Sequence, residues 1–201
     1  MIATARAATQ GSPTFSVPEL TDADADNFRA AMRQLASGVT LITVGEGAER
    51  RGMTATAVVS LSADPPTLIV CVNSNASMYP GLARGTAFGV SVLAADQQEI
   101  ADRFAGRAGL NGVDRFDEGR WLVAPSGVSL FADSLSAFEC EVEDLIERNT
   151  HAILIGRVKR TARCGGAGAL VYWRGGYDSV GWSADEVLRA TGFNPGAPRR
   201  R

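Results

Sequence analysis

Between Gly52 and Asn73 the chain reads GMTATAVVSLSADPPTLIVCVN, and this stretch carries the clearest alternation of apolar and polar positions in the sequence. In its first half Met53, Ala55, Ala57, Val59 and Leu61 alternate with Thr54, Thr56, Val58, Ser60 and Ser62. A period of two predicts a strand with one apolar face and one face of hydroxyls without charge. An exposed threonine-rich strand has this pattern, and so does a strand whose polar face meets a ligand seeking uncharged hydrogen bonds. Asp64-Pro65-Pro66 then interrupts the strand, because neither proline can donate to a ladder. Thr67 to Val72, apolar after its first residue, predicts a central strand covered on both sides.

The flanking segments extend the pattern. Phe28, Met32 and Leu35 recur at helical spacing, with Asp24 or Asp26 to cap the start and Gly38 to stop it, so a short amphipathic helix is expected. GVTLITV, Gly38 to Val44, is a β-branched strand, and GEGAERRG is a hairpin loop into the next one. After Val72, Asn73-Ser74-Asn75-Ala76-Ser77 leads into a short helical segment with Met78 and Leu82. Small polar residues entering a helix offer N–H groups and hydroxyls to an anion, as a phosphate cradle does; an ordinary Asn/Ser helix cap has the same composition.

TAFGVSVLA, Thr86 to Ala94, predicts another strand, followed by a helix with Asp96 and Glu99 at capping-box spacing, Ile100 and Phe104 on one face, and Gly106 at its end. Arg107 to Val128 is irregular and aromatic, with Phe116, Trp121 and, just beyond, Phe131; a loop this long usually covers something. From Leu135 to Glu147, Phe138, Cys140, Val142 and Ile146 alternate with Glu139, Glu141, Glu143 and Glu147. The next strand, HAILIGRVKRTARC, carries Arg157, Lys159 and Arg163, so antiparallel pairing sets acids against bases on a solvated face. Leu170 to Trp173, a turn at Arg174-Gly175-Gly176 and Tyr177 to Trp182 form the last hairpin, and Asp185 to Ala190 one more helical turn. The fold expected is mainly β with a few helices, a closed or nearly closed antiparallel barrel.

At 201 residues and 21.1 kDa the chain suits one domain. It is expected over residues 26–182, between a flexible N-terminal tail at 1–25 and a C-terminal helical turn and tail at 183–201. A net charge of −2 gives no general reason to bind nucleic acid or a membrane surface. Cys71, Cys140 and Cys164 are odd in number and lack CxxC spacing, and the first fifteen residues lack the apolar block of a secretory signal, which points to the cytoplasm.

His151 is the single histidine. No acid or cysteine stands at ligand spacing around it, so no metal site is expected. GxSxG, GxGxxG and the Walker A motif are all missing. What remains is the hydroxyl strand and the Asn/Ser loop, able to serve the polar edge and the phosphate of one large planar cofactor.

The order GVTLIT, GMTATAVVSLSADPP, VCVN with a following Ser, FGVSVLAADQQEIADRFA, AFECEV, HAILIGRV and LVYWRGGY closely resembles the short-chain flavin reductases, from about Phe28 to Tyr177. The resemblance implies a homodimeric FMN-binding split β-barrel that uses NADH or NADPH to reduce FMN or FAD by hydride transfer and supplies the reduced flavin to a partner monooxygenase. Carried over by position, Met53, Thr54, Ala55, Thr56, Ala57, Ser60 and Leu61 line the isoalloxazine and ribityl chain. Asn75, Ala76 and Ser77 lie by the phosphate, Arg103 and Phe104 near the flavin, and Tyr177 closes the last hairpin. His151 positions the nicotinamide, and no side chain is assigned as a certain catalytic group. Asn149-Thr150 stand before His151 where the family commonly has Gly-Asp, which puts the orientation of the imidazole in question. Two other functions share these features: a flavin-binding protein without reductase turnover, and a flavoenzyme acting on its own organic substrate.

Overall fold

The structure, a computed structural model, describes residues 20–163, 165 and 168–181. Residues 1–19 of the expected N-terminal tail, the C-terminal tail at 183–201 with its turn at Asp185 to Ala190, Cys164 and Trp182 lie outside the described residues.

Helix α1 (Ala25–Met32) starts one residue ahead of the expected domain boundary, because the carboxylate of Asp24 accepts hydrogen bonds from the N–H groups of Asp26 and Asn27, both at 2.8 Å. It closes at Arg33 and does not run on to Gly38. Gly38 instead belongs to β1 (Ser37–Gly38), which is followed by β2 (Thr40–Val44) and β3 (Arg51–Ala55). Next come β4 (Val58–Ala63) and β5 (Pro66–Asn73), one 3-10 turn at Tyr79–Gly81, and β6 (Ala87–Val92). Helix α2 (Gln98–Phe104) precedes the hairpin of β7 (Trp121–Val123) and β8 (Ser129–Phe131). The long pair β9 (Ser136–Arg148) and β10 (His151–Arg163) leads to β11 (Ala169–Trp173) and β12 (Gly176–Val180).

Seven strands form one antiparallel sheet in the order β3-β2-β6-β9-β10-β5-β4. The strand read as continuous from Gly52 to Ser62 is therefore two strands, β3 and β4, at opposite edges. Laid flat at about 4.8 Å spacing, seven strands would hold those edges roughly 29 Å apart. Only Thr56 and Ala57 join them, and three extended residue steps reach at most about 11 Å. The sheet must curl until its edges approach, yet β3 and β4 share no ladder. The result is a barrel that is almost closed and split along one seam, the FMN-binding split-barrel architecture expected.

The barrel is filled by Ile42, Val70, Val72, Phe88, Val90 and Leu154, each fully buried. A second core of Val39, Leu41, Leu93, Phe104, Phe116 and Leu170 lies between the barrel, α2 and the β7–β8 loop region. Strand β2 contributes alternate residues to the two cores and is buried at every position, so it is covered on both sides. Strand β5 is not, because Ile69 and Cys71 on its outer face are only half-buried. The long loop does cover something, since Phe116 and Trp121 pack on Phe104 and Phe131 packs on Trp121. Asp96 makes no capping bond to α2; Gln97 stands at the cap and its side chain accepts from the N–H of Ala94 at 2.8 Å.

Cross-strand pairing of β9 and β10 gives Glu141–Lys159 and Glu143–Arg157 at 3.4 and 2.7 Å. The third pair is Glu139–Arg160 at 2.6 Å, because a register shift between Val158 and Arg160 brings in Arg160 where Arg163 was expected. Glu139 is also not on a solvated face: it is 2% exposed and accepts from the N–H of Ser126 at 3.0 Å. Cys71 and Cys140 are free thiols, and burial, with the charge of Glu139 second, pushes Cys140 up to about 12. Among the described residues no helix is long and apolar enough to cross a membrane, and no cluster of three His, Cys, Asp or Glu could hold a metal ion.

Candidate functional site

Strand β3, the loop after β5 and the end of α2 meet at a cleft of about 410 Å³, within the usual range for small-molecule sites. Its walls are Gly52, Met53 and Thr54 from β3, Asn73, Asn75, Ala76 and Ser77 from the loop, Phe104 and Ala105 from α2, and Asn111 and Arg115 from the segment beyond.

Short-range bonds build these walls. The hydroxyl of Thr54 donates to Ala101 O at 2.6 Å, which fastens α2 onto β3. That hydroxyl is therefore spent on the fold. The Asn73 side chain accepts from the N–H of Asn75 at 2.9 Å, and the N–H of Ala76 donates to Asn73 O at 2.9 Å, which curls the loop back on itself. Ser74 donates through both its N–H and its hydroxyl to Thr150 O, at 3.0 and 2.9 Å. The loop is thus tied to the β9–β10 turn, and His151 lies directly opposite Asn73 in the ladder.

His151 is exposed, with Nδ1 2.9 Å from the Thr150 hydroxyl. Thr150 thus supplies the contact that holds the ring, whichever of the two donates.

Of the residues expected at the site, the structure brings together Met53, Thr54, Asn75, Ala76, Ser77 and Phe104, with His151 adjoining through the Ser74–Thr150 tie. Ala55 is buried in the barrel, and Ala57 O accepts from the N–H of Cys71 at 3.0 Å. Thr56 faces a different depression, shared with Phe28, Met32 and Trp173. Ser60 lines another with Val59, Phe138 and Val158, and Leu61 is 50% exposed on β4.

Arg103 turns to the far side of α2, where it pairs with Glu118 and donates to Asp114 O at 3.3 Å. The depression it lines there is larger, about 520 Å³, and sets the acids Glu99 and Asp102 beside Arg103 and Arg107. Tyr177 stacks edge-on against Tyr172 at 5.4 Å with Arg107 over its ring at 5.5 Å. Burial and then the charge of Asp102 raise its hydroxyl pKa.

Arg115 and Asn111 were not legible as site residues. In sequence they sit in a loop of Gly and Asp where an arginine reads as a solvated charge. In the fold the Arg115 side chain donates from Nε to Leu110 O at 2.9 Å, and from Nη1 to Gly52 O at 3.0 Å and Phe104 O at 3.3 Å. Burial lowers its pKa from the ordinary arginine value, and the group stays charged at physiological pH. It has no carboxylate partner among the described residues.

The walls fit a flavin by chemistry. Met53 and Ala76, backed by the buried Phe104, give apolar surface for a flat ring, Asn75, Ser77 and Asn111 give neutral hydrogen-bonding groups, and Arg115 gives a positive charge with no acid among the described lining residues. Among the described residues no cysteine, histidine or carboxylate lines the cleft, so its walls are suited to binding and orienting a ligand.

Residues 32–181 match the model for the flavin reductase like domain. The chain is 40% identical over 157 residues, 78% of its length and 89% of the relative's, to the FMN reductase (NADH) RutF 2 of Methylorubrum extorquens. Its fold is similar to that of BorF, the flavin reductase component of a bacterial two-component tryptophan halogenase, with a TM-score of 0.72, 36% identity and coverage of 79% and 99% of the two chains. It is likewise similar to the NADH:FAD oxidoreductase SgcE6 of Streptomyces globisporus in complex with NAD and FAD fragments, with a TM-score of 0.73, 34% identity and coverage of 84% and 100%.

Proposed function

The chain belongs to the flavin reductase like family, and from that premise we infer that it is an NADH-dependent reductase of FMN or FAD. The observation that carries the reading is the cleft between β3, the 73–77 loop and Arg115, which joins apolar walls, neutral polar groups and one cation without any acid. Bound flavin supplies the redox chemistry, accepting hydride from the nicotinamide. The protein's own part is to stack and space the two rings. Good alignment of two reactants is worth roughly 7–11 kcal/mol of barrier. Met53 would flank the ring with the buried Phe104 packed behind β3, Asn75 and Ser77 would hold the polar end, and His151, held by Thr150, would orient the nicotinamide from the adjoining turn.

The names of the relatives that specify a donor print NADH, so NADH is the expected donor over NADPH. The reduced flavin passes to a separate enzyme, a monooxygenase in this reading, and the work is done in the cytoplasm. A homodimer completes the proposal. A single chain leaves Val59 and Leu61 of β4 57% and 50% exposed and Phe28 of α1 61% exposed, apolar surface that a second copy would cover. In such a pair Ser60 and Leu61 contribute to the flavin site of the partner copy.

The test mixes purified protein with NADH or NADPH and added FMN or FAD, and follows nicotinamide absorbance. Turnover that requires added flavin is expected. Flavin held without nicotinamide oxidation would replace the reading with a binding module, and turnover only with a further organic substrate would replace it with a self-contained flavoenzyme. Light scattering reads the oligomer, and a monomer would remove the second copy from the site.

A further inference from the structure

We propose that Arg115 is the residue of the cleft that recognises the flavin's phosphate, so that it sets a preference for phosphorylated flavins over riboflavin. The inference rests on the flavin-reductase reading and deepens it. Three carbonyl oxygens, from Leu110, Gly52 and Phe104, hold the guanidinium through Nε and Nη1, and they belong to three separate parts of the wall. None of them cancels its charge. No acceptor among the described residues is paired with Nη2, which lies beside Gly106, where a Cβ would stand 3.5 Å from it, and is the edge of the fork left for a ligand oxygen. Of the other arginines around the cleft, Arg103 pairs with Glu118, Arg51 with Glu49 and Arg107 with Asp102, while Arg50 lies over the Phe116 ring at 4.8 Å with its Nε donating to Gly47 O.

An isolated positive charge, half-withdrawn from water and fixed in place, binds an anion without the cost of ordering a free side chain. Asn75 and Ser77 line the same cleft and add neutral polar groups for the remaining phosphate oxygens. Riboflavin has the same ring and the same ribityl chain but no phosphate, so it engages the walls and leaves Arg115 unused.

The experiment titrates full-length protein with FMN and with riboflavin by flavin fluorescence. Arg115→Gln is expected to weaken FMN binding roughly 10- to 100-fold, the range of one hydrogen bond to a charged group, while riboflavin binding changes little. Arg115→Lys, which keeps the charge but not the fork, is expected to retain part of the preference. Equal losses for both flavins would show a purely structural clasp and overturn the proposal, as would no loss for FMN.

Since Arg115→Gln removes three carbonyl contacts, Asn111→Asp is the second variant. It sets a carboxylate on the same wall without touching those contacts and is expected to weaken FMN selectively; unchanged FMN affinity overturns the proposal even if Arg115→Gln does not fold. Failure of wild-type protein to oxidise NADH with FMN would instead refute the reductase reading, because the binding comparison needs no turnover.

Discussion

Replacing Gly52 by alanine tests whether the cleft wall and the core behind it are one packed unit. A Cβ built at Gly52 meets Phe104 Cε1 at 2.7 Å, Phe104 Cδ1 at 2.9 Å and Ile42 O at 2.9 Å, against about 3.5–4.0 Å for relaxed carbon–carbon contact. Neither neighbour can yield easily. The Phe104 ring is 1% exposed and is braced edge-on by Phe116 at 5.0 Å and by Trp121 at 5.6 Å. Ile42 O is backbone within the β2–β3 ladder.

Overpacking of this kind costs about 1–3 kcal/mol, and alanine returns about 0.4–1 kcal/mol by restricting the unfolded chain. The net loss of about 1–2 kcal/mol corresponds, for a chain of this size, to a melting temperature lower by roughly 2–8 °C. Flavin affinity should fall with it, since the displaced segment carries the Gly52 carbonyl that accepts from Arg115 at 3.0 Å. Gly38→Ala is the control, because its Cβ would meet nothing within 4 Å. Thermal melting by circular dichroism and FMN titration read both effects. If Gly52→Ala melts with Gly38→Ala and binds FMN as wild type does, the coupling of α2 to the cleft through β3 is wrong.

His151→Ala should raise KM for the nicotinamide severalfold while leaving flavin affinity intact; unchanged kinetics would remove His151 from the site. Ser77→Asp should weaken FMN binding about tenfold, as a like charge beside a phosphate costs more than 1 kcal/mol at short range in a partly buried site, and unaltered affinity in a titration would place the phosphate elsewhere. For Glu139, burial pushes the carboxyl up, but hydrogen bonds from Ser126 and Arg160 outweigh it and hold its pKa below the ordinary 4.5. Its contribution to stability is therefore present above about pH 4.5 and lost as pH falls through the lower folded value. Glu139→Gln should flatten the acid side of a denaturation profile, and a profile identical to wild type would contradict the pairing.

The long strands were legible because their alternation survives over many residues, as in Phe138, Cys140 and Val142 of β9. The division between β3 and β4 was not. Thr56 and Ala57 contain no glycine or proline to mark a break, so the alternation reads straight through, and only closure of the barrel decides that the chain changes edges there. Local pattern also gives a face without its occupant: the hydroxyl of Thr54 was correctly placed off the apolar face of β3, but its partner is the carbonyl of Ala101, 47 residues away. The same limit explains Arg160, which a shift in register substitutes for Arg163, and Arg115, whose three carbonyl contacts come together only after folding. The Asn73–Ser77 loop was legible because its turn chemistry is local.

The distribution of charge links these features to the proposed chemistry. The chain has 22 acidic residues, more than its 20 lysines and arginines, yet among the described residues no acid lines the cleft. Several of those nearby are held by arginines on other surfaces, with Glu118 on Arg103, Asp102 on Arg107 and Glu49 on Arg51. A ligand that arrives with a phosphate and gains electron density during reduction is repelled by carboxylates and favoured by fixed donors and one cation. A protein whose redox chemistry belongs to the two cofactors has little use for a general base or nucleophile at the reacting centre. Its sequence therefore shows few catalytic side chains, and selection among ligands falls to the shape of the walls and to the sign of the charge left unpaired within them.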